Sequence, residues 1–99
     1  MMEYLKALYL KIVRNELDHY DVITEGAKLE IDFREATGFV DERALLLNAV
    51  LKEILKDENG EERSKYQELF DTNVRILNRK RAAKVEGLSM SLGWLFVHS

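Results

Sequence analysis

The twelve residues 44–55, ALLLNAVLKEIL, limit this chain's choices more than any other stretch, because nine of them are apolar. At about 100° per residue, Leu47, Val50, Leu51 and Ile54 form the middle of a broad apolar face, which Ala44, Leu46 and Leu55 widen. Asn48, Lys52, Glu53 and Lys56 fill the remaining arc. A helix apolar over more than half its girth has to touch neighbours on at least two sides, so the run is expected at the centre of the fold. It is too short and too charged for a bilayer, which needs about 20 apolar residues. Asp41 stands where its carboxylate caps the first free N–H groups, and Asn59 with Gly60 stops the far end. Leu45 breaks the pattern by projecting with Asn48 and Lys52. It is either an isolated exposed leucine near a helix start or a contact with a loop or a second subunit, which makes it the interface candidate.

Around this hub the periodicity changes several times. Residues 2–19 read as a helix with Leu5, Leu8, Tyr9, Ile12 and Val13 on one face. In residues 28–34, Leu29, Ile31 and Phe33 alternate strictly with Lys28, Glu30, Asp32 and Arg34, the pattern of a strand with one wet face. Residues 20–24 are short and β-branched, and Glu25 with Gly26 can turn the chain, so a hairpin of 20–24 with 28–34 is expected. Residues 35–40, with Gly38, connect it to the central helix. A third helix runs from about 61 to 85, with Tyr66, Leu69, Phe70, Val74 and Leu77 on its buried side and Gly87 as its stop. The tail alternates Leu88, Met90 and Leu92 against Ser89, Ser91 and Gly93, then turns apolar on both faces through Trp94, Leu95, Phe96 and Val97. That reads as a strand covered on two sides, with a helix as the competing assignment. The expected fold is α+β: three helices packed on a small antiparallel sheet, in the order α-β-β-α-α-β, with residues 1–99 forming one domain. A sheet that small leaves an open edge or face, and self-association is the common remedy, so a homo-oligomer, specifically a homodimer, is expected.

Composition removes several classes of function. The net charge of −3 draws the whole chain to neither nucleic acid nor membrane, so any such attraction has to be local. Cysteine is absent, which excludes disulfides and thiolate chemistry. The apolar opening is broken by Glu3, Lys6, Lys11 and Arg14, unlike a signal peptide, so an intracellular protein with no membrane partner is the expectation. No phosphate loop, zinc signature, nucleophile elbow or dinucleotide fingerprint occurs, and no cofactor is expected.

Two constellations could still carry chemistry. Glu16 and His19, three apart at the end of the first helix, form half of a carboxylate di-metal motif, but no second Glu-x-x-His exists. The plainer reading has both in water where the helix leaves the core. Arg75, Arg79, Lys80, Arg81 and Lys84 are five positive charges with no acid until Glu86. Such a segment can bind phosphate backbones or an acidic partner. It also matches the positive residues that a helix C-terminus favours, with Glu61 and Glu62 at the start. Lys80, Arg81 and Lys84 prolong the face of Tyr66 and Leu77 while Arg75 and Arg79 lie opposite, so the charge surrounds the helix as on a turn or two projecting past the core. The leading expectation is a non-enzymatic protein that acts by binding. Nucleic-acid binding through this basic helix end is the alternative.

In its overall length, its opening MEYLKALYLKIV and its ending EGLSMSLGWLFVHS, the chain resembles small uncharacterised proteins of filamentous and rod-shaped archaeal viruses, the lipothrixviruses and rudiviruses. The resemblance implies a viral, thermostable product in the host cytoplasm, with a fold not shared by well-known families. It brings no activity and no site residues.

Overall fold

A computed structural model describes residues 1–33 and 42–98, with side chains through Arg79. Among the described residues the elements are four α-helices: α1 (Met2–Val13), α2 (His19–Lys28), α3 (Glu42–Asp57) and α4 (Gly60–His98). No strand occurs among the described residues, so the α+β expectation is overturned. The central run does form a helix, and α3 is the element against which α1, α2 and α4 each pack. Leu46, Val50, Leu51, Ile54 and Leu55 are buried, with Leu47 half-buried at the edge of that face. Asp41, expected to cap α3, lies outside the described residues, as does the connection over 35–40.

The first departure comes at Val13. The expected helix over 2–19 ends there because Asn15 takes left-handed backbone geometry, φ 57°, which breaks the helix. The N–H of Asn15 then donates to the Ile12 carbonyl and that of Glu16 to the Lys11 carbonyl, satisfying groups that the helix end leaves open. Three residues later Asp18 starts α2. Its carboxylate accepts from the Asp21 N–H at 2.8 Å, and the Asp21 carboxylate receives the Asp18 N–H at 3.4 Å. This reciprocal cap turns residues 20–24 into helix where a strand was expected. The β-branched Val22, Ile23 and Thr24 give up only tenths of a kcal/mol each in helix propensity, which burial of Val22 outweighs.

The alternation over 28–34 is therefore not a strand. Lys28 closes α2, and Glu30, at φ 58°, repeats the left-handed stop, with Glu30 and Ile31 N–H groups donating to the Ala27 and Gly26 carbonyls. Leu29, Ile31 and Phe33 pack on the core from this irregular segment; Arg34 lies outside the described residues. Gly26 does not turn the chain. It sits inside α2, and the ring of Phe33 occupies the place a β-carbon would need.

Residues 58 and 59 join α3 to α4 as a tight helical hairpin. The two helices run antiparallel: Arg63 donates to the Leu55 carbonyl near the turn, and Asn73 donates to the Ala44 carbonyl, 3.3 Å away, near the open end. Tyr66 and Leu77 are buried, as is Asn73, while Leu69, Phe70 and Val74 are half-buried. Gly87 does not stop α4, and the tail expected as a strand over 88–97 is its last turns. A strand needs a neighbouring ladder, and the segment expected to provide it is helical. Extending an existing helix instead adds one hydrogen bond for each residue fixed. Trp94 and Phe96 lie where side chains are outside the description.

Candidate partner-binding surfaces

Helix lengths set the geometry. At 1.5 Å per residue, the 16 residues of α3 span about 24 Å and the 39 of α4 about 58 Å. The molecule's longest dimension is 57 Å, so α4 runs its full length. Asn73 already lies level with the first turn of α3, and Leu77 is the last buried residue of α4 among those with described side chains. Some 30 Å of α4 follow.

The basic segment straddles this point. Arg75 and Arg79 are exposed, and Arg75 donates to the Thr72 hydroxyl at 3.3 Å. Among the described residues neither pairs with a carboxylate. Lys80, Arg81 and Lys84 fall on helical backbone, with side chains outside the description.

Leu45 is half-buried on the outer side of α3. With Ala49, Leu29 and Ile31 it gives an apolar floor to an open groove of about 340 Å³, edged by Glu30, Asp32, Asn48 and Lys52. Its off-face position thus brings it beside the segment following α2.

Glu16 and His19 are not on one helix. Glu16 is exposed in the corner after α1, whereas His19 opens α2 and lies with Nδ1 3.0 Å from a carboxylate oxygen of Glu42, at the start of α3. Beside this contact Arg43 donates to the Leu17 carbonyl at 2.8 Å. The corner is thereby tied to the first turn of α3. Among the described residues no three His, Asp or Glu side chains come together as metal ligands would.

A further cluster escaped sequence reasoning because its members come from three segments. The Lys6 ammonium meets the Glu58 carboxylate at 2.5 Å, lies 3.8 Å from Glu62, and sits 5.6 Å from the centroid of the Tyr66 ring. Tyr9 packs edge-on against that ring, with centroids 5.8 Å apart. The hydrogen bond to Glu58 raises the Lys6 pKa above 10.5, and the same bond holds Glu58 below 4.5. Burial pushes the Tyr66 phenol above 10.0. The arrangement pins α1 to the α3–α4 turn, a structural task.

No family model, no curated protein and no solved structure matches this chain. No helix among the described residues is long and apolar enough to cross a membrane.

Proposed function

We propose that this protein acts by binding rather than by catalysis, as a homodimer in which the distal half of α4 packs against the same half of a second copy. The reading is carried by the length of α4, which outruns α3 by more than 30 Å along a sequence rich in apolar residues. Seven of the ten residues 88–97 are apolar, and Val85, Leu88, Leu92 and Leu95 recur at steps of three, four and three. That spacing puts the four positions on one face of a helix. A helix without packing is marginal in water, and Gly87 and Gly93 each weaken it by about 1 kcal/mol, so a second surface along it supplies what propensity does not. In the setting implied by the archaeal-virus resemblance, the dimer works in the host cytoplasm.

Light scattering across micromolar concentrations tests this. The native chain is expected at twice its monomer mass, and Leu88→Glu/Leu95→Glu at the monomer mass with α1–α3 still folded. A native monomer at high micromolar concentration sinks the reading.

One observation favours a second reading. Arg75 and Arg79 are exposed, with Lys80, Arg81 and Lys84 following on the same continuous helix, which suits a phosphate backbone. Under it, duplex DNA is retarded at low salt, retardation weakens steeply as salt rises, and Arg75→Glu/Arg79→Glu abolishes it. No retardation at low salt removes this alternative.

A further inference from the structure

Resting on the dimer just proposed, we infer that the two α4 helices pair antiparallel, crossing near Ser91, with the two α1–α3 bodies at opposite ends. The placement of charge along α4 decides the orientation. Arg75 lies just before Leu77, the last buried residue with a described side chain, and Arg79, Lys80, Arg81 and Lys84 lie just past it, ahead of the apolar-rich residues 88–97.

In a parallel pair each of the five cations stands level with its own mate, across an interaxial distance of about 8–10 Å. That is about one Debye length at physiological ionic strength, so the cations nearest the contact still repel, though partly screened. In an antiparallel pair crossing at Ser91, Arg81 and its mate are 20 residues apart along the axis, about 30 Å. Lys84, the cation nearest the crossing, is 14 residues or about 21 Å from its mate, still more than two Debye lengths, so the repulsion is largely screened. The apolar positions behave in the opposite way. With the crossing at 91, position 88 stands level with 94 of the other copy, 92 with 90, and 95 with 87, so the apolar stretch covers itself while the basic segments lie outside it. A two-fold contact of this kind uses one patch twice and closes without further subunits. Parallel pairing also sets two 1–79 bodies side by side; antiparallel pairing keeps them apart.

The chain has no cysteine, so single-cysteine variants carry a spin label at one chosen position. Ser91→Cys marks the crossing, Ser89→Cys is a second central position, and the exposed Asn78→Cys marks the point where α4 leaves the body. Light scattering on each labelled chain first establishes that it is dimeric. Dipolar distance measurement is then expected to give a short separation at 91 and 89, and about 40 Å at 78, 26 residues from its mate along the axis. Short separations at all three positions mean parallel pairing and overturn the orientation while leaving the dimer. A long separation at 91 and 89 places the contact elsewhere and overturns the crossing point. A monomer in the unlabelled chain removes the dimer itself.

Discussion

Asn15 and Glu30 decide where the first half of the chain turns, and they do so with different ease. Both hold left-handed backbone, φ 57° and 58°. Asparagine tolerates that geometry because its amide can bond locally, whereas glutamate bears a steric cost of about 1 kcal/mol. Glu30→Gly relieves it and is expected to raise stability by about 0.5–1 kcal/mol in urea unfolding, part of the gain being offset by the freer unfolded chain. A clear loss of stability would mean the Glu30 side chain contributes more than its backbone costs. Lys6 and Glu58 give a pH signature. Glu58 titrates below 4.5 in the folded chain, so its contribution is complete above 4.5 and is lost as pH falls through the lowered value. Lys6 titrates above 10.5 when folded, so its contribution is complete below 10.5 and is lost as pH rises through the raised value. Lys6→Met is therefore expected to be less stable than the native chain between these limits, with the two curves converging in acid and again in strong alkali. A constant gap across the acid limb would show that the two residues are not coupled. Asn15 was readable in principle, since asparagine past a helix end is a known stop; Glu30 was not, because nothing in its chemistry asks for left-handed backbone.

Among the elements, α3 was the one most legible in sequence, and the reason is its girth of apolar residues. Leu51 is 1% exposed, and truncating it to alanine is expected to cost about 2–5 kcal/mol, whereas half-buried Leu45→Ala should cost roughly half of that or less. Comparable losses at both positions, measured by thermal unfolding, would mean that α3 is wrapped on its outer side as well. The hairpin expected over 20–34 illustrates how pattern misleads. Leu29, Ile31 and Phe33 alternate, yet they do so after a helix stop, where period two has no strand to describe. The signal that would have corrected it was Asp18 with Asp21, a cap three residues wide just before Val22 and Gly26, which lie one helical turn apart and are both buried. Gly26 carried a second message: a glycine inside a helix is a place where another group comes close, here the Phe33 ring. Gly87 fails as a stop for the converse reason. Glycine ends a helix when left-handed geometry and a new direction are gained, and here α4 continues through it.

At the scale of the whole molecule, a 39-residue helix beside one of 16 leaves the distal half of α4 extending well beyond α3. If a second copy covers it, folding and association are linked, and the melting temperature is expected to rise with protein concentration. A melting temperature independent of concentration over two decades would separate folding from any pairing. The candidate residues were visible one by one in sequence, but their grouping was not: Glu16 and His19 look like one site and are parted by a corner, while Lys6, Glu58 and Tyr66 look unrelated and meet. Local chemistry by itself determined the central helix, the acid-headed start of α4 and the basic stretch on either side of Leu77, because each depends on neighbours within a turn or two. Residues 20–28 were likewise decided by the local Asp18–Asp21 cap, whereas the choice between strand and helix for residues 88–97 belonged to the tertiary structure. A strand exists only where another lies alongside it, and once α2 closed on its own cap there was no ladder left for the tail to join.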